Sequence, residues 1–202
     1  MIFEMRTYRL QAGSVPTVEE RFEAGLKERV KVSPLGAFFH TEVGPLNHII
    51  HIWPYDDLQH RTRVRSEKIP GWPPAIQEFI VEMESKIVTP APFSPAFGPR
   101  QLGGLYEIRT YTMLPGVTAT VIERWAEKIE ARLKFSPLAA CGSTELGPLN
   151  QWIHIWAYKD GAERFRIREE ARKAGVWPPA TRGLFVRQEN MLVVPASFSP
   201  LR

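Results

Sequence analysis

Two long stretches of this 202-residue chain repeat one another at a constant offset of about 103 residues. The repeated segments are EMRTY (4–8) and EIRTY (107–111), TEVGPLN (41–47) and TELGPLN (144–150), and HIWPY (51–55) and HIWAY (154–158). A period of this length matches a whole domain and is too long for a solenoid repeat. The sequence therefore predicts two copies of one domain, at residues 1–98 and 104–202, joined by a linker at 99–103.

The composition excludes several classes of protein. With 44% hydrophobic and 11% aromatic residues, the chain has enough apolar surface to fold, which excludes a largely disordered state. The single cysteine, Cys141, excludes a disulfide framework, and no apolar run approaches the ~18 residues that a membrane span needs. The N-terminus lacks the basic and apolar regions of a secretory signal. We therefore expect a cytoplasmic protein.

Each copy is predicted to follow the order β-α-β-β-α-β, which is typical of a ferredoxin-like α+β sandwich. In the first copy the predicted strands begin with IFEMRTYRL, and the first helix carries a stripe at Val18, Phe22, Leu26 and Val30. Ser14 and Asp56 are the expected N-caps of the two helices. Such a sandwich has helices on one face of its antiparallel sheet and leaves the other face bare.

The third strand of each copy indicates what covers the bare face. Ile50 and Ile52 point to one side, whereas His51, Trp53 and Tyr55 point to the other. We interpret the aliphatic side as the one beneath the helices, and the mixed polar and aromatic side as half-buried against a second sheet. The two sheets are then expected to pack face to face as a pseudo-dimer within one chain. The alternative is that each copy pairs with a copy from another chain, which gives a larger oligomer.

The repeated string TExGPLNxxxHIWxY, with ExRTY before it and an Arg-rich helix after it, resembles the NIPSNAP family. The resemblance covers both copies. It implies that each domain has the ferredoxin-like fold in its dimeric α/β-barrel form, so the pseudo-dimer becomes an intramolecular barrel. It implies no particular reaction, because the family has no agreed biochemical activity. Other proteins with dimeric α/β barrels include cofactor-independent monooxygenases, isomerases and haem enzymes, a likeness of fold that says little about chemistry.

Residues on the mixed face are the candidate site. His51 and His154 are the candidate catalytic residues, because a strand histidine in a pocket can act as a general base near neutral pH. The candidate ligand-binding residues are Glu4, Arg6, Tyr8, Trp53 and Tyr55 in the first copy, and Glu107, Arg109, Tyr111, Trp156 and Tyr158 in the second. Glu84 and Glu189 on the last strands are expected to share this face. The alternative interpretation is a buried polar network that holds the two sheets in register.

Two further sets of repeated residues have a structural and a functional interpretation. Trp72 and Trp177 are interpreted as packing residues, with a stacking platform for a planar ligand as the alternative. The helix arginines are interpreted as solvated or paired with acids, with an anion clamp as the alternative; they are Arg61, Arg65, Arg164 and Arg168. The arms after the last strands are expected to place Phe93 and Phe198 on the opposite copy.

Metals, cofactors and macromolecular partners receive little support. No HxH, HxxxH or CxxC spacing is present, so no metal site is predicted; a site shared by His51, His154 and a glutamate is the remaining possibility. No cofactor is predicted. The net charge is only +4, and the Lys and Arg residues alternate with acidic residues along the chain. Neither nucleic acid nor a membrane is therefore an expected partner. His40, aligned with Ser143, has no histidine counterpart, so a function that needs it belongs to one half.

The sequence leaves three functional hypotheses. The first is binding of a small, anionic or aromatic molecule in a polar and aromatic cleft at the barrel face. The second is a structural or protein-interaction module that has no ligand. The third is a cofactor-independent enzyme, monooxygenase-like or isomerase-like, that uses one of the strand histidines.

Overall fold

A computed structural model describes residues 1–202 and shows the predicted β-α-β-β-α-β order in each half. The first half contains β1 (Ile2–Leu10), α1 (Val15–Val32), β2 (Ala37–Val43), β3 (His48–Tyr55), α2 (Leu58–Ser66) and β4 (Ile80–Pro90). The second half contains β5 (Leu105–Met113), α3 (Thr118–Leu133), β6 (Leu138–Leu146), β7 (Gln151–Tyr158), α4 (Gly161–Lys173) and β8 (Phe185–Pro195). None of the helices is long and apolar enough to cross a membrane.

The helix caps differ from those expected. The Ser14 side chain does not cap α1, because its hydroxyl donates to the Gln11 carbonyl at 2.7 Å. The carboxylate that caps α2 belongs to Asp57 instead of Asp56, and it accepts a 2.7 Å hydrogen bond from the backbone N–H of His60. Neither change moves the helices away from the faces that they cover.

The eight strands form one closed barrel in the order β1-β3-β2-β8-β5-β7-β6-β4. The two halves meet along two antiparallel pairs, β2 with β8 and β4 with β6. These pairings leave no open sheet edge, which removes the usual site of edge-to-edge aggregation. The predicted intramolecular barrel is thus confirmed, and the two sheets face one another across its interior.

The assignment of the two strand faces, however, was wrong. Ile50 and Ile52 point into the barrel, where they join an interior cluster of residues from both halves. His51, Trp53 and Tyr55 lie on the outer face instead; Trp53 and Tyr55 belong to the core with α1 and α2. The interior of an eight-stranded barrel is just wide enough for side chains to fill it, so compact aliphatic side chains suit it. The buried tryptophans lie between the sheet and the helices, although the interior also contains phenylalanine and tyrosine rings.

The arms that follow β4 and β8 cross to the opposite half, as expected. Phe198 packs against Phe38 with ring centres 4.9 Å apart, and Phe93 packs on the core of the second half. The Ser94 hydroxyl accepts a 2.9 Å hydrogen bond from the backbone N–H of Cys141. Each half therefore completes the outer core of the other.

Candidate functional site

Two cavities lie at equivalent places in the two halves. Each lies between the outer face of the barrel, the two helices of its half and a Trp-Pro-Pro segment, at residues 72–74 or 177–179. We call them the N-site, of about 330 Å³, and the C-site, of about 550 Å³. The equivalent lining residues are Arg6 and Arg109, Tyr8 and Tyr111, Arg29 and Arg132, His51 and His154, Trp53 and Trp156, Tyr55 and Tyr158, Arg65 and Arg168, and Trp72 and Trp177. The pockets therefore collect most of the residues that the sequence singled out.

Strand alternation and register bring these side chains together. In the antiparallel pairing of β1 with β3, Arg6 lies opposite His51 and Glu4 lies opposite Trp53. Residues two apart on one strand share a face, so Tyr8 joins Arg6 on the side covered by α1. The same register recurs between β5 and β7, and it creates the same arrangement in the C-site.

The pocket histidines have a defined tautomer. The indole N–H of Trp53 donates to Nδ1 of His51 at 2.6 Å, and that of Trp156 donates to Nδ1 of His154 at 2.8 Å. An indole nitrogen can only donate, so Nδ1 accepts and the proton of the neutral ring lies on Nε2. Nε2 is buried and has no hydrogen-bond partner in either half.

Both histidines are held in the neutral state. Burial, reinforced by the positive charge of Arg6, lowers the pKa of His51 to about 3. Burial and Arg109 lower the pKa of His154 well below its usual value. Each ring therefore offers an N–H donor, while its one lone pair is occupied by tryptophan. The catalytic role of His51 and His154 stays a prediction, and the geometry favours hydrogen-bond donation over proton abstraction.

The deepest cation of each pocket was missed by the sequence analysis. The predicted stripe of α1 ended at Val30, but Val30 is 42% exposed and Arg29 is only 4% exposed. A strict four-residue spacing drifts off a helix face that repeats every 3.6 residues. Arg29 follows Leu26 by three positions, and Arg132 follows Ile129 by three. A charge repeated on the apolar stripe was the available signal.

Arg29 is held by neutral groups alone. Its guanidinium donates to the Ser33 carbonyl at 3.0 Å and to the Tyr55 hydroxyl at 3.2 Å. The guanidinium carbon lies 4.2 Å from the centre of a Trp53 ring, a cation–π contact. Burial lowers the pKa of Arg29, but an arginine remains charged at neutral pH. No carboxylate lies within ion-pair distance of it.

Arg132 repeats this arrangement in the C-site. It is 2% exposed, donates to the Ser136 hydroxyl at 2.8 Å and lies 4.2 Å from the centre of a Trp156 ring. It also has no carboxylate partner, and its Nε–H has no hydrogen-bond partner. Each pocket thus contains a buried positive charge that the protein does not neutralise by a direct ion pair.

The buried glutamates of the two halves have a different role. Glu4 is fully buried and accepts hydrogen bonds from Arg6 at 2.9 Å, Arg61 at 2.7 Å and Ser85 at 2.7 Å. Burial alone would raise the pKa of Glu4, but the hydrogen bonds of Arg61 and Ser85 outweigh it and lower the pKa to about 2. The carboxylate does not line the N-site and is already saturated.

Glu107 occupies the equivalent position in the second half. It accepts from Arg109 at 2.8 Å, from Arg164 at 2.5 Å and from Asn190 at 3.1 Å. Arg61 and Arg164 are therefore paired with acids, which agrees with the structural interpretation of the helix arginines. Arg65 and Arg168 differ, because they approach these glutamates less closely, at 4.0 and 3.5 Å, and also line the pockets.

Some predicted residues do not join the pockets. Glu84 and Glu189 line a separate cavity of about 260 Å³ that also contains Met5 and Ile108 of the barrel interior. Their neighbours Ser85 and Asn190 make the contacts to the buried glutamates instead. The expectation that Glu84 and Glu189 share the mixed face was wrong, because alternation along β4 and β8 places them on the opposite side.

Potential metal ligands and the cysteine are also separated. His51 and His154 line different pockets, so they do not form the shared metal site considered above. No group of three or more His, Cys, Asp or Glu side chains is placed to hold a metal ion. Cys141 is buried in the second outer core, and burial raises the pKa of its thiol to about 12. It packs as a small apolar side chain.

Comparison with known proteins gives a consistent family and fold. The model of the NIPSNAP family matches the chain twice, over residues 3–95 and 106–200. NipSnap homolog 3A of Homo sapiens is 29% identical over 219 residues, covering all of this chain and 86% of that protein. The NipSnap homolog of Dictyostelium discoideum is 28% identical over 184 residues, covering 87% of this chain and 78% of that protein.

Solved structures also match nearly the whole barrel. A candidate monooxygenase from Lactobacillus acidophilus has a TM-score of 0.70 and covers 96% of this chain and 93% of its own chain. Its sequence identity is 9%, so the likeness shows the fold alone. The likeness therefore carries no information about the chemistry of the pockets.

Proposed function

The chain is a member of the NIPSNAP family, and from that premise we propose that it binds small organic anions with a flat apolar body, one in the N-site and one in the C-site. The observation that carries the proposal is the buried guanidinium in each pocket, which has no carboxylate partner. Burying an unpaired charge is costly, and proteins usually pair such a charge or leave it to contact a ligand. A carboxylate beside Arg29 or Arg132 would supply the missing counter-charge.

The remaining polar groups of the pocket suit an anion. Nε2–H of His51 is a buried donor without an acceptor, and its neutral ring adds no competing negative charge. Arg6 also lines the N-site, 14% of its side chain being exposed. Arg6, Arg29 and His51 thus line one pocket and all carry N–H donors, a composition that favours a carboxylate over a neutral or cationic group.

The apolar walls suit a flat ring. The centres of the Trp53 and Trp72 rings lie 5.6 Å apart, and those of Trp156 and Trp177 are separated by the same distance. Aromatic surfaces of this kind bury a planar body while leaving its polar edge to the donors. The volumes of about 330 and 550 Å³ fall in the range of small-molecule sites, which begins at about 300 Å³.

One observation favours the structural alternative. Arg29 donates to the Ser33 carbonyl just beyond the end of α1, which is a stabilising position for a cation at a helix C-terminus. If that were its whole role, replacement by Met would lower stability and no ligand would bind. The two functions therefore predict different results for the same variant.

The test is calorimetric titration of the full chain with 1-naphthoate and, as a neutral control of the same shape, 1-naphthamide. We expect two molecules of naphthoate per chain and at least tenfold weaker binding of naphthamide. Arg29→Met and Arg132→Met should each remove one of the two binding events. Arg124→Met is the matched control, because Arg124 lies on α3 but is exposed and paired with Glu127.

The thermal unfolding temperature of every variant shows whether a loss of ligand binding is caused by a loss of stability. If the Met variants prove unstable, Arg29→Lys and Arg132→Lys take their place. Both retain the positive charge and should keep part of the affinity for naphthoate. Equal binding of naphthoate and naphthamide, or unchanged binding in both Met variants, would overturn the proposal. An absence of naphthoate binding together with a large loss of stability in the Met variants would support the structural alternative.

A further inference from the structure

The mouths of the two pockets differ in charge although their bases are the same. The C-site is lined by five arginines and no acidic residue, the arginines being Arg109, Arg132, Arg168, Arg172 and Arg182. The N-site is lined by three arginines and by the acidic side chain of Glu67. The pockets also differ in size, at about 330 and 550 Å³.

Part of the difference arises from Arg172 near the end of α4, and part from substitutions after the second helix of each half. At this point the offset between the copies is 105 residues, as shown by WPPA at 72–75 and 177–180. Gln77 of the N-site therefore corresponds to Arg182 of the C-site, and Met83 corresponds to Gln188. Both changes make the C-site mouth more polar, and one adds a full positive charge.

Arg182 is available to a ligand. It is exposed and makes no ion pair or side-chain hydrogen bond within the protein. Arg172, by contrast, is engaged by Glu169 through two hydrogen bonds of 2.7 and 3.0 Å. Arg168 lies 3.5 Å from the Glu107 carboxylate, which is shared among several arginines. The C-site thus has an additional cation at its mouth that the chain leaves unpaired.

We propose that the C-site selects doubly charged anions of the phosphate-monoester type, whereas the N-site takes singly charged carboxylates. The inference rests on the proposed function and assigns different ligand classes to its two pockets. A phosphate monoester carries close to two negative charges above its second pKa of about 6, and its three oxygens can accept bonds from several guanidinium groups. At the N-site the carboxylate of Glu67 would repel the second charge, and Gln77 would not compensate for it.

The experiment compares 1-naphthyl phosphate with 1-naphthoate at pH 8, where the phosphate is a dianion. Indole N–H resonances of Trp53 and Trp156, assigned with Trp→Phe variants, report the two pockets separately in the intact chain. We expect naphthyl phosphate to bind at least tenfold more tightly than naphthoate at Trp156. At Trp53 the two ligands should differ by less than about threefold, or naphthoate should bind more tightly.

Exchanging the mouth residues supplies matched variants. Arg182→Gln should reduce the phosphate preference of the C-site several-fold with little effect on naphthoate, and Gln77→Arg should raise that of the N-site. Both residues are exposed, so neither change threatens folding. Equal phosphate preference at Trp53 and Trp156 with both ligands bound would overturn this inference alone. Failure of naphthoate to bind at both pockets would overturn the proposed function and this inference with it. A C-site that binds naphthoate but not naphthyl phosphate would overturn the inference alone.

Discussion

The two halves of the barrel agree at the base of their pockets and differ at the mouths. Each base combines a buried arginine, a tryptophan and a histidine of fixed tautomer. At the mouth, the N-site has Gln77 where the C-site has Arg182. The base also contributes to the packing between sheet and helices, so a change there disturbs the core. The mouth is exposed and can vary without disturbing the core. The comparison shows that one fold can hold two related pockets with the same base and different charge at the mouth.

The largest difference in stability should come from the buried glutamates. Glu107→Gln and Glu4→Gln each leave buried arginines without their counter-charge, a change that costs about 3–5 kcal/mol when a buried ion pair is broken. Glu107→Gln should cost more, because the side chain of its partner Arg164 is 9% exposed and that of Arg61 is 23% exposed. Urea denaturation followed by circular dichroism measures the free energy of unfolding.

Glu169→Gln is the control for those two variants, because it breaks an exposed ion pair with Arg172 on α4. Its denaturation midpoint should stay within error of the unsubstituted chain. An equal, small change for all three glutamates would contradict a structural role for the buried carboxylates.

The next effect concerns pH and should be shared by both halves. The pKa of His51 falls from 6.5 to about 3 on folding, so the unfolded chain takes up a proton that the folded chain excludes. Stability from this source is present above pH 6.5 and is lost as the pH falls toward 3, at about 1.4 kcal/mol per pH unit for one histidine. His154 is shifted in the same direction.

His51→Gln and His154→Gln should each flatten the loss of stability between pH 5.5 and 4.5, and the double variant should flatten it most. Urea midpoints at the two pH values measure the slope. If only one of the two substitutions changed the dependence of the urea midpoint on pH, the two pocket bases would not be equivalent.

The smallest expected effect belongs to the first half alone. His40 contacts the Glu19 carboxylate at 2.7 Å, and this hydrogen bond raises the pKa of His40; Ser143 occupies the aligned position. Because the pKa of His40 is higher in the folded chain, protonation stabilises the fold. This stabilisation is fully present below about pH 6.5, the pKa in the unfolded chain, and disappears as the pH rises through the pKa in the folded chain. The pair is partly exposed, so we expect less than about 1 kcal/mol.

His40→Ser makes the first half resemble the second at this position. The difference in unfolding free energy between the variant and the unsubstituted chain should be larger at pH 5.5 than at pH 8.5. A difference independent of pH would mean that the charge of His40 does not contribute.

The sequence predicted the barrel more accurately than it predicted the faces of the strands. The duplication and the order of elements predicted two ferredoxin-like copies packed face to face, because each copy leaves a sheet face to be covered. The closed barrel followed from the resemblance to the NIPSNAP family. Alternation along β3 separated Ile50 from His51 correctly but did not show which side faces the helices. Both sides are buried in a barrel wrapped by helices, so hydrophobicity does not distinguish them.

The sequence predicted only part of the candidate site. The strand residues around His51 and Trp53 do line the pockets, since they share one face of the sheet whichever way that face points. Arg29 was missed because a charged residue on a helix normally indicates the solvent side. The groups that hold it, the Ser33 carbonyl, the Tyr55 hydroxyl and the Trp53 ring, are brought to it by tertiary packing.

The pairing of β2 with β8 has a consequence during protein synthesis. Phe39 pairs with Pro195, so the edge of β2 gains its neighbour only when the last strand has been made. At about 5–20 residues per second, translation of the intervening chain takes on the order of 10–30 seconds. For that time the nascent first half carries an open strand edge and an apolar surface that its own C-terminus will later cover. While it is open, that edge can pair with a strand of another chain, and the completion of β8 closes it.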